Sequence, residues 1–228
     1  MLYTRKTALE NLRNLDGKRV FYLGKGDQLT SDARDFLSQQ RIPVLPAEQA
    51  KPARYQLLGG GFTEEKPEHM THLNASVLVP KPHPRIRFRG CIDLLEAQLL
   101  LCQSGAGEEW ERKLQDALDL TRRLISCDVL EEPVPEMQLG GMDEGQLRKR
   151  SHLPQNYYGQ PHFMPDGKDR PLLLQLNLAR AMARQAELAA VEAFSDREGL
   201  PTRLDILQAM NRLSSYLYIL MIEIKGKK

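Results

Sequence analysis

The sequence predicts a mainly α protein: a five-helix bundle over 79–228, with a small α/β N-terminal appendage over 1–46 and a loop or linker over 47–78. Three observations carry this. Beyond residue 79, long runs of Leu, Ala, Met, Gln, Arg and Glu are separated by Pro and Gly clusters, which is the pattern of helices joined by breaks. The run 172–198 contains neither Gly nor Pro and has apolar residues on two sides, as expected of a helix packed from two directions. Before residue 46, two short apolar runs flank a single capped helix.

In chain order, residues 1–16 read as a short amphipathic helix with Ala8, Leu9, Leu12 and Leu15 on its apolar side. Val20–Leu23 reads as a strand stopped by Gly24-Lys-Gly26, Thr30 as the cap of a helix reaching about Gln40, and Ile42–Leu45 as a second strand. From Pro46 to Leu78 the composition is that of a loop. It includes the Gly59-Gly60-Gly61 triplet, which suits a flexible turn and less often lets backbone N–H groups approach phosphate. His69, His72 and His83 lack the Cys or carboxylate companions of a recognisable metal spacing, so no metal ligands are assigned.

Three prolines between Val79 and Pro84 lead into a helix that continues through Leu101, on which Asp93 shares a face with Ile86, Ala97 and Leu100. An inward carboxylate there calls for a cation. Residues 108–128 form a second amphipathic helix with an acidic start and Arg122-Arg123 near its end, as the helix dipole favours. Pro133 and Pro135 break the chain, a short helix follows near 142–152, and Pro154–Asp169 reads as a loop containing His162-Phe163-Met164-Pro165.

On the 172–198 helix, Arg180, Arg184 and Glu187 fall within an arc of about 60° that also holds Leu173, Leu176, Val191 and Phe194. Leu178, Met182, Ala186, Ala189 and Ala193 lie opposite. Charges on an inward stripe need partners or a ligand; an internal salt-bridge network is the plain alternative. The last helix, from about Arg203 to Glu223, gathers Asp205, Gln208, Asn211, Arg212 and Ser215 into an arc of about 120°.

Composition narrows the functions. Thirty-two basic against thirty acidic residues leave +2, with no long basic block, which argues against sequence-independent nucleic-acid binding. There is no 18-residue apolar span and no signal-peptide core at the start, so no membrane association and a cytoplasmic location are expected. Cys91, Cys102 and Cys127 are odd in number, lack C-x-x-C spacing, and read as reduced packing residues.

Taken together, the polar segments resemble the ATP:cob(I)alamin adenosyltransferases. Val79-Pro-Lys81 through Gly90-Cys-Ile-Asp93 is similar to that superfamily's lysine followed by Gly-x-x-Asp-Glu-Leu. Ala179-Arg180-x-x-x-Arg184-x-Ala186-Glu187 is similar to Ala-Arg-x-x-x-Arg-Arg-Ala-Glu, and Asn211-Arg-Leu-Ser214 to Asn-Arg-Leu-Ser-Asp. Thr71-His-Leu, Pro84-Arg-Ile, Asp205 through Ser215 and Leu29 through Arg34 resemble the ethanolamine-utilisation (EutT-like) branch more than the propanediol (PduO-like) one. The pattern departs in three places. The Thr-x-x-Gly-Asp-x-Gly nucleotide loop of the propanediol type is missing, the Cys-Cys-x-x-Cys cluster frequent in the ethanolamine type is replaced by Lys66-Pro-Glu-His-Met, and Gln185 stands where the second arginine of the pair belongs.

The resemblance implies transfer of the 5′-deoxyadenosyl group of ATP to cob(I)alamin. The corrinoid's cobalt is the nucleophile, so the protein needs to position and neutralise rather than to attack. It further implies Arg180, Arg184 and Asp93 as the catalytic set, with Arg180 and Asp93 forming an inward ion pair. Lys81, Arg184, Glu187 and Asn211 would bind ATP with Mg²⁺, and Phe163 or Met164 would be the apolar group that displaces the lower axial ligand of cobalamin. A homo-oligomer follows from the relatives, a trimer first and a dimer as the alternative. So do an adenosylcobalamin-dependent lyase or dehydratase, or its reductase, as partner, and a cytoplasmic setting associated with a microcompartment. The alternative is a non-catalytic cobalamin carrier or assembly protein of the same fold.

Overall fold

The computed structural model describes residues 1–15, 18–50, 55–63 and 65–227. Asp16, at the end of the expected first helix, and residues 51–54 and Glu64 of the expected linker lie outside them. The described chain divides into two compact units, Met1–Lys81 and Pro82–Lys228.

In the first unit the expected 1–16 helix is shorter. Helix α1 covers Arg5–Glu10, held at its start by a reciprocal Thr4–Thr7 capping box, and ends at Asn11, whose side-chain amide donates to the Thr7 carbonyl at 2.8 Å. Strand β1 (Leu2–Tyr3) precedes it. After it come β2 (Arg13–Leu15), β3 (Lys18–Leu23) and β4 (Gln28–Leu29). The Thr30 hydroxyl accepts from the Ala33 N–H at 3.3 Å and starts α2 (Ser31–Gln39) as its composition predicts, and β5 (Val44–Pro46) then pairs parallel to β3. Ala8, Phe21, Ala33, Leu37 and Ile42 close a small core between these elements.

The stretch read as a linker carries strands. β6 (Tyr55–Leu57), β7 (Phe62–Thr63), β8 (Met70–His72) and β9 (Val77–Pro80) form one sheet in the order β7-β6-β9-β8. The glycine triplet is the β6–β7 hairpin turn: Gly60 and Gly61 take φ of 100° and 85°, and the Leu57 N–H donates to the Gly61 carbonyl at 3.0 Å. Positive φ at consecutive positions is what selects glycine there.

The second unit is the helical bundle. Its long helices are α3 (Pro84–Ser104), α4 (Glu108–Leu130), α7 (Pro171–Ala193) and α8 (Leu204–Gly226), with the shorter α5 (Glu144–His152) and α6 (Pro154–Tyr158) between α4 and α7. The short α6 was not expected from the Pro/Tyr-rich segment that contains it. α7 packs against α3 on one side and α8 on another, α4 lies on α3, and α5 and α6 lie on α8. α7 stops at Ala193, short of residue 198, because the Thr202 N–H and hydroxyl both take the Phe194 carbonyl, at 2.6 and 2.9 Å, and turn the chain.

α7 is packed from two directions, by α3 and α8, as expected, but the arc it buries is centred on neither predicted stripe. Its centre is the alanine column Ala179, Ala183, Ala186 and Ala190, all fully buried, flanked by Leu173 and Leu176. Small side chains let α3 and α8 approach the α7 backbone from both sides, and larger residues at those positions would overpack the contact. The two apolar arcs of the sequence therefore belong to one broad face. Its margins, Leu178 (47% exposed), Leu188 (71%) and Val191 (45%), face outward.

Candidate functional site

α7 and α8 bring the polar residues of both recognised segments onto adjoining surfaces. The Asn211 side-chain amide donates to Glu187 Oε1 at 2.8 Å, so the two motifs meet across the α7–α8 contact. Asn211 is held from behind: the Ser215 hydroxyl donates to its backbone carbonyl at 3.1 Å. Glu187 is half-buried, whereas Asn211 and Arg184 are exposed. The arginine stripe thus lies at the rim of the packed face and not within it. The alanine column takes the inward direction, and the arc of Arg180, Arg184 and Glu187 is rotated away from it.

Arg184 makes no hydrogen bond or ion pair among the described residues. Arg180, one turn earlier and half-buried, lies with its guanidinium over the Tyr218 ring, 5.1 Å from the centroid. Burial and, next, repulsion from Arg184 lower the Arg180 pKa from its ordinary value, partly opposed by Tyr218. Arg212 follows Asn211 on α8. Its pKa is likewise lowered, by burial first and Arg148 next, against the attraction of Glu144 and Glu187. Its Nη1 atom is buried without a hydrogen-bond partner among the described residues. Gln208 donates to Glu144, so α5 closes this end of the patch. The result is a band of cations only partly neutralised by Glu187 and Glu144, which suits a polyanion.

One expected placement, the Asp93–Arg180 ion pair, is not found. Asp93 is exposed and forms no ion pair with Arg180. α3 buries Phe88, Ile92, Leu95, Leu99 and Cys102, and Asp93, next to Ile92, points off that stripe. Lys81 is the last residue of the first unit, with its backbone N–H donating to the His69 carbonyl at 2.9 Å and its side chain exposed. Of the other candidates, Phe163 shares the Tyr218 ring with Arg180. Phe163 is half-buried against Tyr218, with ring centroids 6.0 Å apart, while Met164 is 87% exposed.

Sequence reasoning missed Arg148, Glu144 and Tyr218. The signal was available for the last, which lies seven residues after Asn211 and hence on the same helical face. The histidines once considered for a metal have other contacts: His72 sits edge-on to Tyr55 at 5.4 Å, and His83 Nδ1 accepts from the Arg85 N–H at 3.2 Å. Cys102 is buried, and its thiol is pushed up to about 11 by that burial. A surface groove of about 610 Å³ at the C-terminal end of α4, lined by Arg123, Ser126 and Cys127, contains none of the site residues.

Beyond this geometry, residues 61–224 match the cobalamin adenosyltransferase family, and the chain belongs to it. Among individual relatives, it is 35% identical over 161 residues to the corrinoid adenosyltransferase EutT of Salmonella typhimurium and equally to that of Escherichia coli K12. It is 28% identical over 155 residues to the PduO enzyme of Salmonella typhimurium. These alignments cover 69% and 66% of this chain, and 59% and 45% of the EutT and PduO chains, so the chain spans about three fifths or less of the relatives' length. An alanine variant of a PduO-type ATP:corrinoid adenosyltransferase from Lactobacillus reuteri, complexed with cobalamin and ATP, shares the fold. The TM-score is 0.51 and the identity 17%, over 75% of this chain and 87% of that one.

Proposed function

We propose that this protein transfers the 5′-deoxyadenosyl group of ATP to cob(I)alamin, forming adenosylcobalamin and releasing triphosphate. The cobalt–carbon bond forms with the electron pair of Co(I), which becomes Co(III). The bond from C5′ to the phosphate oxygen breaks, and its electrons leave with triphosphate. The observation that carries the reading is the joining of the two family motifs through Asn211 and Glu187, beside arginines whose donors are unspent.

Arg184, exposed on this patch, contacts the departing phosphates, and Arg180 extends the same charge toward the reacting carbon. Lys81 adds a point charge to the nucleotide. Glu187 and Asn211 bind the ribose or the Mg²⁺ that accompanies the triphosphate; magnesium bound mainly by phosphate and water needs few protein carboxylates, which fits a site with one central glutamate. Asp93 acts from the surface of α3 rather than through an internal pair with Arg180. Phe163 and Met164 form the apolar side that receives the corrinoid.

The protein acts as a homo-oligomer, a trimer rather than a dimer. Support comes from the exposed Leu94 and Leu101 on α3 and Leu178, Leu188 and Val191 on α7, apolar side chains that a neighbouring copy would cover. The product serves an adenosylcobalamin-dependent lyase or dehydratase, with its reductase, in the cytoplasm and in association with a microcompartment. No described helix is long and apolar enough to cross a membrane.

The test is anaerobic incubation with chemically reduced corrinoid and MgATP, following the absorption change that marks a cobalt–carbon bond. Product formation is expected. Uptake of corrinoid without measurable binding of MgATP in a calorimeter would instead indicate a carrier of the same fold.

A further inference from the structure

Tyr218 has no part in the chemistry above, yet it touches two other segments of the bundle, α7 and the His162–Phe163 loop. Its ring lies under the Arg180 guanidinium at 5.1 Å. The His162 ring is stacked on it at 5.8 Å with an interplanar angle of 8°, and the Phe163 ring at 6.0 Å and 24°. The Phe163 N–H donates to the Tyr218 hydroxyl at 3.4 Å, and that hydroxyl lies 3.0 Å from His162 Nδ1. His162 Nε2 in turn lies 3.2 Å from the carbonyl of His152, the last residue of α5.

These contacts fix the direction of the chain. A carbonyl only accepts, so His162 Nε2 carries a hydrogen, and in the neutral tautomer that this contact selects Nδ1 is the acceptor. The Tyr218 hydroxyl is therefore the donor to His162 while it accepts from Phe163. Lys225, seven residues further along α8, pairs with Asp169 and places its ammonium 5.6 Å from the Phe163 ring. The segment from His162 to Asp169 is thus fastened to α8 at two points, with Met164 exposed between them.

The choice of an aromatic partner for Arg180 also has a chemical consequence. A carboxylate would hold the guanidinium by cancelling its charge. A ring face orients the cation through its quadrupole and leaves the full charge available to an incoming anion. Burial against a ring, with a lowered pKa and no carboxylate partner among the described residues, is consistent with a cation kept for a ligand.

We propose that Tyr218 is a positioning residue for the adenosyl transfer, setting Arg180 and the His162–Met164 segment in one frame so that the nucleotide side and the corrinoid side of the site are held in register. This rests on the reading under Proposed function.

The test is a double-mutant cycle on the full chain with Tyr218→Phe, His162→Ala and the two combined, plus Tyr218→Leu. Steady-state adenosylation is measured at varied corrinoid and varied ATP, with thermal melting of each variant. Tyr218→Phe keeps the ring and removes the hydroxyl, so the corrinoid KM should rise about five-fold while the ATP KM stays near wild type. His162→Ala should give a similar loss, and the double variant should be no worse than the worse single, since both cut one bond. Tyr218→Leu also removes the ring under Arg180 and should lower kcat by about a further tenfold.

A Tyr218→Phe enzyme with wild-type KM and kcat, or losses that multiply in the double variant, would overturn the proposal while leaving the activity intact. Wild-type protein that neither turns over nor binds corrinoid would overturn the functional reading, and this inference with it. Should Tyr218→Leu fail to fold, the hydroxyl cycle decides alone.

Discussion

Two arginine clusters in the same bundle have opposite chemistry. Near the start of α3, Arg85 Nε and Arg89 Nε donate to the two carboxylate oxygens of Asp128 at 2.8 and 2.5 Å, and Arg85 Nη2 reaches the Asp128 carbonyl at 2.7 Å. Asp128 is fully buried and the arginine side chains are 17% and 16% exposed. On α7 and α8, by contrast, Arg184 is exposed without an ion pair, Arg180 rests on a ring, and Arg212 has a buried nitrogen with no partner among the described residues. Saturated donors join helices; unsaturated donors on a packed frame await an anion. The first cluster holds α3 to α4, and the second keeps the free donors that the proposed triphosphate site requires.

The comparison breaks most decisively at Arg184. Arg184→Met should reduce adenosylation by at least about a hundredfold, because a charge aimed at the leaving group is lost, while the melting temperature stays within a few degrees. Full activity in that variant would mean that the exposed arginine is ordinary surface, and the contrast between the clusters would vanish.

The complementary substitution is Asp128→Asn. It preserves shape but leaves two partly buried guanidiniums facing a neutral amide, at a cost of about 3 kcal/mol. For a chain of this size that corresponds to about 10 °C in the melting temperature. Activity per folded molecule at low temperature should remain. Chemical denaturation and turnover on the same samples separate the two; activity lost per folded molecule with stability unchanged would place Asp128 in the reaction and not in the frame.

How far the sequence foretold this difference depends on the scale of the feature. Helices α3, α4, α7 and α8 were legible because propensity, proline and capping act locally, and Thr30 and Asn211 could be placed on their elements from neighbours alone. The outward rotation of Arg184 was not, because a helical wheel counts Leu178 and Val191 as apolar as the alanines. Which arc is buried was decided by how closely α3 and α8 approach Ala183 and Ala186. The Asp93–Arg180 pair failed for a related reason: motif order along the chain says nothing of the register between α3 and α7. Strands β6 to β9 escaped notice because each is four residues or fewer and acquires meaning only through its partners.

The smallest effect sharpens the comparison at a third ion pair, intermediate between the two clusters. Asp205, in the first turn of α8, receives Arg203 Nε and Nη2 at 2.9 and 2.8 Å and the Val134 N–H at 2.9 Å, while Arg203 Nη2 also donates to the Glu132 carbonyl at 2.7 Å. The bracket fastens the segment after α4 to the start of α8. Hydrogen bonding from Arg203 lowers the Asp205 pKa from 3.8 to about 2. A depressed carboxylate contributes stability above its unfolded pKa and loses it as pH falls through the folded value, so the contribution is complete at neutral pH and fades between about pH 4 and pH 2. Its size is at most about 2 kcal/mol, less for the 29% of the side chain left in water. Asp205→Asn keeps an acceptor for Val134 and removes the charge. The stability difference between wild type and variant, followed by denaturant titration from pH 7 down to the acid transition, should shrink toward zero across that window. A difference that stays constant with pH would mean that the bracket works by shape and hydrogen bonding alone, placing Asp205 outside the ionic frame that Asp128 exemplifies.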